Sequence, residues 1–280
     1  MTRLHKVSGG GNDFLVLAEP DRDPTAAEIV AWCARGLSFG ADGLFTLRRA
    51  GDNAVRMDYW NADGRSADLC INGTRCAARL ALELGWAQER VRVETGAGPI
   101  EASPAGQRQI ALELPAPEDL PRRLRLELPD RAVEGWSVPI GVPHFVVVWP
   151  SSLADCPVAE LGAALRSHPA FGAIGTNVDF VRFPERHRLE IRSFERGVEA
   201  ETLACGTGVL AAVATGLQLE RAELPVRVQT RGGFVLTVAG ETVDSVPSRW
   251  TLAGDARLLG TVEPSDEAAL PPPPPPRWSA

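Results

Sequence analysis

The sequence predicts an α+β protein built from two similar halves. The chain has 280 residues, more than the roughly 100–200 residues of a usual single domain. Short runs of strand-forming residues, bounded by glycine and proline, recur along it. Two alanine-rich helical patterns each directly follow a cysteine, Cys70 and Cys205, which lie 135 residues apart. A repeat near half the chain length indicates a duplicated domain.

The first half reads as strands around two helices. Thr25 followed by Glu28 is a capping-box pattern, which predicts a helix to about Arg35. A second helix is predicted from Asn72 to Leu84, where Gly85 ends it. The predicted strands are Leu4–Val7, Phe14–Leu17, Leu44–Leu47, Val55–Trp60, Val91–Thr95, Ile100–Ser103 and Ile110–Leu114.

The second half repeats this order after a proline-rich boundary. Pro115, Pro117 and Pro121 mark the boundary, and a helix is predicted to follow Cys205 and to end at about Leu219. Predicted strands are Arg122–Leu128, Val133–Pro139, Phe145–Val148, Val178–Phe183, Leu189–Ser193, Val226–Gln229, Phe234–Val238 and Thr251–Val262. We therefore expect an N-terminal half of residues 1–115 with a returning strand at 251–262, a C-terminal half of 116–250, and a disordered tail of 263–280 whose Pro271–Pro276 run favours polyproline II.

Charge and hydropathy exclude several classes of function. The net charge of −7 gives no support for binding nucleic acid. No run approaches the roughly 18 apolar residues of a membrane helix, and residues 1–17 lack the continuous apolar stretch of a signal peptide. We expect a soluble, cytoplasmic protein that does not bind membranes. Its five cysteines, an odd number spread along the chain, also suit a reducing compartment.

Composition also argues against cofactors. Lys6 is the only lysine, so a pyridoxal phosphate Schiff base would have to use that one residue. No cysteine pair has Cys-x-x-Cys spacing, and no histidine lies near one, so we expect no metal. On these grounds we expect a protein that works without a pyridoxal phosphate or metal cofactor.

The two cysteines at helix starts indicate a reaction. A helix N-terminus offers unpaired N–H groups and about half a positive charge, which favour a thiolate. Two such cysteines facing each other across a duplicated cleft can invert a carbon centre, one removing a proton and the other delivering a proton to the opposite face. The helix ends would stabilise the negative charge that develops on a substrate carboxylate.

The motifs then resemble those of the diaminopimelate epimerase family, from Lys6 to about Gly260. The matching segments are Gly11–Phe14, Gly40–Gly43, Asn61–Gly64, Cys70–Cys76, Val142–His144, Thr176–Val178 and Glu195–Gly208. The resemblance implies a cofactor-independent interconversion of LL- and meso-diaminopimelate, in lysine and peptidoglycan precursor synthesis. It also implies two pseudo-symmetric domains, each a mostly antiparallel β-sheet or barrel wrapped on a central helix, and a homodimer.

The resemblance also implies roles for particular residues. Cys70 and Cys205 match the acid/base pair, and His144 and Glu195 match positions that assist proton transfer. The substrate would be held by Asn12, Asn61, Asn177 and Arg196, and the reacting carboxylate by backbone groups of Ile71, Asn72, Gly206 and Thr207. Their chemistry is compatible, because an arginine fork suits a distant carboxylate and asparagine both donates and accepts.

Three departures from the family pattern keep alternatives open. Ile71 replaces the usual glycine, Val142 replaces the usual asparagine, and the loop from Glu195 to Cys205 is one residue longer. Val142 and the loop favour, as an alternative, a cofactor-independent racemase or epimerase of another amino acid. Ile71 is the only support for a third interpretation, an amino-acid-binding protein with little catalysis.

Overall fold

The computed structural model describes residues 3–117, 119–243 and 246–270. The chain divides into two compact units. Of the described residues, those up to Pro104 and those from Ala256 to residue 270 form the first unit, and those between Ala105 and Asp255 form the second. In the described residues, no helix has both the length and the apolar character needed to cross a membrane.

The described part of the first unit contains two α-helices and eight strands, numbered along the chain. The helices are α1 (Ala26–Cys33) and α2 (Ile71–Glu83). The strands are β1 (Leu4–Gly9), β2 (Asn12–Ala18), β3 (Gly43–Gly51), β4 (Ala54–Asn61), β5 (Ser66–Ala67), β6 (Val91–Thr95), β7 (Gly98–Gly106) and β18 (Arg257–Val262). They pair in the order β18-β1-β2-β3-β4-β6-β7, with β5 also on β4. Among the strand pairs named here, β2–β3 and β4–β6 are parallel and the others are antiparallel.

The sheet of the first unit surrounds α2. This helix contacts β1, β2, β4, β6 and β18, and its residues Ile71–Ala78 are all buried. Its glycine, alanine and threonine side chains are small, which lets strands approach it from several directions. The predicted capping box is confirmed at α1, where the Thr25 hydroxyl accepts from the Glu28 N–H and the Glu28 carboxylate accepts from the Thr25 N–H.

In the second unit, the described residues form two further α-helices and ten strands. The helices are α3 (Val158–Arg166) and α4 (Gly206–Gln218). The strands are β8 (Gln109–Pro115), β9 (Arg122–Glu127), β10 (Ala132–Ile140), β11 (Val142–Val148), β12 (Asn177–Glu185), β13 (Arg188–Glu195), β14 (Ala200–Thr202), β15 (Val226–Gln229), β16 (Val235–Val243) and β17 (Val246–Asp255). Helix α4 contacts β10–β13 and β16, and Gly208–Gly216 within it are buried.

The second unit repeats the topology of the first. Its strands pair in the order β9-β10-β11-β12-β13-β15-β16-β17-β8, with β14 also on β13. The parallel pairs are β11–β12 and β13–β15, at the places that β2–β3 and β4–β6 hold in the first unit. The predicted α+β fold of two similar halves, each wrapped on a central helix, is confirmed.

The predicted strand Thr251–Val262 is wrong as a single element. Strand β17 ends at Asp255 and pairs with β8, whereas β18 begins at Arg257 and pairs with β1. The buried Ala256 separates them. Because β8 pairs with β17, it belongs to the second unit, and the first unit ends at Pro104 and not at residue 115. The returning strand is accordingly 257–262.

Two further segments differ from the expectation. Helix α3 was not predicted, and its N-cap, Pro157, makes no side-chain cap hydrogen bond. Residues 263–270 have a defined conformation, because Asp266–Ala269 forms a 3-10 helix against α1 and the Ser38 hydroxyl donates to the Ala268 carbonyl at 3.0 Å. The Pro271–Pro276 run lies outside the described residues.

Candidate active site

The two cysteines occupy equivalent places in the repeat. Cys70 is the N-cap of α2 and Cys205 is the N-cap of α4, and both have extended backbone conformations. The Cys70 sulfur accepts from the Gly73 N–H at 3.4 Å, and the Cys205 sulfur lies 3.4 Å from the Thr207 hydroxyl. Cys70 is half-buried, whereas Cys205 is 6% exposed. The prediction that both lie at the start of a helix is confirmed.

In the first unit, a chain of amide hydrogen bonds joins the candidate residues Asn12 and Asn72. The Asn72 side-chain amide donates to the Asn12 oxygen at 2.6 Å, and the Asn12 amide donates to the Asp42 carboxylate at 3.0 Å. At the other end, the buried Arg75 guanidinium donates to the Asn72 oxygen at 2.7 Å. Each amide is thereby oriented by a charged group, which fixes the β1–β2 turn against the start of α2.

The Asp42 end of this chain is anchored by further charges. Arg35 donates to Asp42 at 2.7 Å and also to Asp13, and the ammonium group of Lys6 lies 2.6 Å from Asp13. Burial alone would raise the pKa of Asp13, but the hydrogen bonds from Arg35 and Lys6 lower it below its ordinary value. The only lysine of the chain therefore has a structural ion pair.

Tyr59 connects Cys70 with the candidate residue Asn61. Its hydroxyl donates to the Asn61 side-chain oxygen at 3.0 Å and lies within hydrogen-bonding reach of the Cys70 sulfur. Burial and the neighbouring Cys70 raise the pKa of this phenol well above its usual range, so Tyr59 stays protonated and can donate. Its ring packs edge-on against Phe14, with centroids 6.0 Å apart.

In the second unit, His144 belongs to a buried polar cluster. His144 Nδ1 lies 2.6 Å from the Asp179 carboxylate, and the Ser193 hydroxyl donates to the other Asp179 oxygen at 2.6 Å. His144 and Asp179 have no solvent exposure, and Ser193 is 3% exposed. The three residues lie on neighbouring strands β11, β12 and β13, where Asp179 is directly opposite Ser193.

Asn177 fixes the tautomer of His144. The Asn177 oxygen accepts from the backbone N–H of Arg196 at 2.8 Å, which identifies its other terminus as the amide nitrogen. That nitrogen lies 3.4 Å from His144 Nε2. Since an amide nitrogen only donates, Nε2 must accept, and the ring proton of neutral His144 is on Nδ1, facing Asp179.

Glu195 lies against the Cys205 thiol. The Thr202 hydroxyl donates to the Glu195 carboxylate, and Glu195 and Cys205 share a hydrogen bond. Burial raises the pKa of Glu195, and nearby Asp179 raises it further. Burial also raises the pKa of Cys205 well above its ordinary value, as do the carboxylates of Glu195 and Asp179. The expectation of a lowered thiol pKa at a helix start is therefore wrong for Cys205, because these effects outweigh the helix terminus.

The remaining candidate residues either follow one of the two cysteines directly or lie at the end of a strand. Ile71 and Gly206 are the first residues of α2 and α4, and both are buried. Thr207 contacts the Cys205 sulfur, whereas Asn61 is exposed at the end of β4. Arg196, just after β13, is engaged through its backbone N–H, and its side chain is partly exposed.

Sequence reasoning missed Tyr59, Asp179 and Ser193. Each lies two residues from a residue that the motifs identified: Tyr59 from Asn61, Asp179 from Asn177, and Ser193 from Glu195. Side chains two apart on a strand share a face. Strand alternation around the motif residues is therefore the signal that could have found all three.

A comparison with known protein families shows to which family the chain belongs. The model of the family described as diaminopimelate epimerase matches residues 4–113 and 136–247. The chain belongs to the diaminopimelate epimerase family. A diaminopimelate epimerase of Aquifex aeolicus is 38% identical over 247 residues, covering 83% of this chain and 88% of the relative. A diaminopimelate epimerase of Chlorobaculum tepidum is 34% identical, with 91% of this chain and 99% of the relative covered.

Solved structures extend the fold relationship beyond the epimerase family. A hydroxyproline epimerase from Agrobacterium vitis has a TM-score of 0.69 at 18% identity and covers 93% of this chain and 90% of that chain. A phenazine biosynthesis protein of the PhzF family from Enterococcus faecalis has a TM-score of 0.68 at 16% identity, covering 93% and 97%. At these identities the likeness shows a shared fold.

Proposed function

We propose that this protein converts LL-diaminopimelate into meso-diaminopimelate without a cofactor, and that Cys70 and Cys205 are its acid/base pair. The observation that carries the proposal is the cysteine at the N-cap of each central helix, at matching places of a duplicated fold. Membership of the diaminopimelate epimerase family supports the choice of substrate.

The proposed reaction needs only proton transfers. One cysteine, as the thiolate, removes the α-proton, and the electron pair of the broken C–H bond remains on the α-carbon, delocalised into the carboxylate. The other cysteine, as the thiol, gives its proton to the opposite face. The two sulfurs thereby exchange protonation states, and the α-carbon is inverted. The mechanism requires both sulfurs to reach the same carbon.

The starts of α2 and α4 would stabilise the carbanion. The first backbone N–H groups of a helix have no partner within it, and they carry partial positive charge. In the proposal, backbone groups of Ile71, Asn72, Gly206 and Thr207 hold the reacting carboxylate. Such preorganised donors strengthen their interaction as negative charge develops, which is the principle of an oxyanion hole.

Glu195 and His144 would assist on the Cys205 side. Because the pKa of Cys205 is raised, this residue favours the neutral thiol, the form that donates a proton. Glu195 shares a hydrogen bond with Cys205 and can exchange a proton with it. In the proposal, the outer end of the substrate, an ammonium group and a carboxylate, is held by Asn12, Asn61, Asn177 and Arg196.

The proposed activity also implies a biological setting. An enzyme that produces meso-diaminopimelate would supply lysine and peptidoglycan precursor synthesis, which takes place in the cytoplasm. We include a homodimer in the proposal, because the resemblance to the family implies one.

Deuterium exchange tests the proposed activity. Purified protein, treated with hydroxylamine and dialysed to remove any carbonyl cofactor, is incubated with LL-diaminopimelate in D2O. We expect loss of one α-proton signal and formation of the meso isomer. In a two-base reaction, the first product molecules contain solvent deuterium while unreacted substrate retains its proton. Absence of exchange between pH 6 and pH 9, roughly the range in which a thiolate–thiol pair exists, would refute the proposal.

Val142 supports the alternative that the substrate is another amino acid. By strand register it occupies the place in the second unit that Asn12 holds in the first, so an amide is missing there. A panel of amino acids in the same exchange assay separates the alternatives. Preference for substrates with a distal carboxylate is expected if Arg196 binds that group. Faster exchange with an amino acid that lacks one would support the racemase alternative.

A further inference from the structure

The two units differ in chemistry at matching strand positions. Phe14 lies opposite Gly43, and His144 lies opposite Asn177, in the equivalent parallel pairs. Continuing along the strands, the same registers match Phe45 with Asp179 and Tyr59 with Ser193. The cluster of His144, Asp179 and Ser193, here called the polar triplet, thus replaces an aromatic cluster of the first unit.

The aromatic cluster of Phe14, Phe45 and Tyr59 shows which side chains can fill these positions of the fold. Phe14 packs on Phe45 with ring centroids 5.9 Å apart, and Tyr59 packs on Phe14. Phe14 is 1% exposed and Phe45 is fully buried. Aromatic side chains therefore satisfy the packing of this fold at these strand positions.

The polar triplet is a costly replacement. Burying a carboxylate carries a desolvation penalty of several kcal/mol, which paired groups often do not recover in stability. Here the penalty is offset by complete pairing, because both Asp179 oxygens and both His144 ring nitrogens have hydrogen-bond partners. Helix α4 also adapts to it: a Cβ at Gly208 would collide with the Asp179 carboxylate.

The hydrogen bonds run from the polar triplet to the proposed substrate arm. Ser193 donates to Asp179, Asp179 accepts from His144 Nδ1, and His144 Nε2 accepts from Asn177. Asn177 in turn accepts from the backbone N–H of Arg196. This series of hydrogen bonds thus begins beneath the first turn of α4 and ends at Arg196. The residue before Arg196 is Glu195, which contacts Cys205.

We propose that Asp179 is a positioning residue: it fixes the orientation and the tautomer of His144, and through Asn177 it sets the backbone at Glu195 and Arg196. This inference rests on the proposed function for its effect on catalysis. It also makes the two cysteine sites unequal, since the matching position on the Cys70 side carries Phe45 in place of a charged group.

The test uses Asp179→Asn, which keeps the shape and removes the charge. Asp58→Asn, a partly exposed carboxylate on β4 paired with Arg48 and Arg56, is the matched control. Ser193→Ala is a second variant, which removes one of the two donors to Asp179 and leaves the volume nearly unchanged. Each protein is prepared with ¹⁵N-labelled histidine, and the His144 signals are assigned with His144→Gln.

In the unmodified protein we expect the neutral His144 ring to carry its proton on Nδ1 and none on Nε2, with a strongly deshielded Nδ1 proton. Asp179→Asn should shift that proton upfield. It should also lower kcat/KM by about 10–100-fold, the effect of losing a hydrogen bond to a charged group, and displace the pH profile, to which Cys205 and Glu195 contribute. Ser193→Ala should shift the same proton less, and Asp58→Asn should change none of these quantities.

Two results would overturn the inference. One is a proton on Nε2 of His144 in the unmodified protein. The other is an Asp179→Asn variant that keeps the His144 signals and the pH profile unchanged. Should Asp179→Asn fail to fold, an unchanged His144 spectrum in Ser193→Ala would count against the inference in the same way. The spectra need no turnover, so absence of epimerase activity would refute the proposed function and leave the assignment of Asp179 open to its own measurement.

Discussion

The Glu195 carboxyl group and the Cys205 thiol share a hydrogen bond, and burial raises the pKa of both groups above their ordinary values. Two titratable groups with raised pKa values therefore lie side by side at the start of α4. At the equivalent position of the first unit, β4 ends in Asn61, an amide that does not titrate. The two units therefore differ in whether a titratable group ends the strand at this position, although their topology is the same.

The raised pKa of Cys205 predicts that the fold loses stability in alkaline solution. Below the pKa of about 8.5 that a cysteine has in an unfolded chain, Cys205 is protonated in both the folded and the unfolded state. Its full contribution to the free energy of unfolding is then present. As the pH rises, the unfolded chain releases this proton while the folded protein retains it, so the free energy of unfolding falls by up to about 1.4 kcal/mol per pH unit. Urea unfolding between pH 8 and pH 10 measures the slope.

Cys205→Ala provides the comparison for that slope. Cys33 and Cys156, whose pKa values burial raises to about 12, remain in both proteins and cancel in the difference. The variant should lose stability less steeply than the unmodified protein over this pH interval. Equal slopes would show that Cys205 titrates alike in the folded and unfolded states.

Replacing either cysteine by serine should abolish most of the proposed activity. A hydroxyl is a far weaker acid than a thiol, and a positioned acid or base contributes about 10²–10⁴-fold in rate. We expect Cys70→Ser and Cys205→Ser each to lower the rate of epimerisation by orders of magnitude in the D2O assay. Near-normal turnover in either variant would exclude the two-base mechanism.

A halogenated analogue separates the two half-reactions in these variants. When one base removes the α-proton of a β-halogenated substrate, the electron pair expels halide, and no second acid is needed. We expect each serine variant to release halide from the analogue even though epimerisation is lost. Cys33→Ser, which changes a buried thiol of α1, is the control and should retain both reactions.

The Tyr59 hydroxyl is predicted to support Cys70. Tyr59→Phe removes the donor to Asn61 and keeps the ring that packs on Phe14. A hydrogen bond is worth about 0.5–1.5 kcal/mol, so kcat/KM should fall by roughly 2–12-fold, with little change in the urea midpoint. Trp60→Phe is the control, since Trp60 packs into the apolar cluster around α1: its effect should be on stability. A Tyr59→Phe variant with unaltered kcat/KM would contradict this role.

The sequence predicted features whose signals are local. The capping box of Thr25 and Glu28 and the cysteines before α2 and α4 each lie within a few residues of the structure they specify. The partners of Asp179 could not be predicted in that way. Its hydrogen bonds cross from β12 to His144 on β11 and to Ser193 on β13, and such pairings depend on strand register, which is set by the whole sheet.

The split of the predicted last strand has the same physical cause. Residues 251–262 have strand character throughout, and nothing local shows that β17 and β18 take partners in different units. Likewise, the pKa of Cys205 follows from burial and from two carboxylates brought from β12 and β13. The sequence around the helix start indicates only the effect of the helix dipole, which lowers the pKa of the thiol.

Gly208 and Gly73 offer a matched pair of substitutions, because each is the third residue after its cysteine N-cap. A Cβ at Gly208 would meet the Asp179 carboxylate, which two hydrogen bonds hold in place. A Cβ at Gly73 would meet the flexible end of Met57 at 2.9 Å and the Cys70 sulfur at an ordinary 3.5 Å. The Asp179 carboxylate cannot move aside, whereas the end of the Met57 side chain can.

Gly208→Ala should therefore destabilise the protein by about 1–3 kcal/mol, the usual cost of overpacking. It should also perturb the His144 signals, since it displaces Asp179. Gly73→Ala should be close to neutral, because alanine favours the helix by up to about 1 kcal/mol over glycine, and this gain opposes a small shift of Met57. Urea unfolding of both variants at one pH measures the difference. Equal stabilities would show that the Asp179 carboxylate can move, and that α4 does not need a glycine above it.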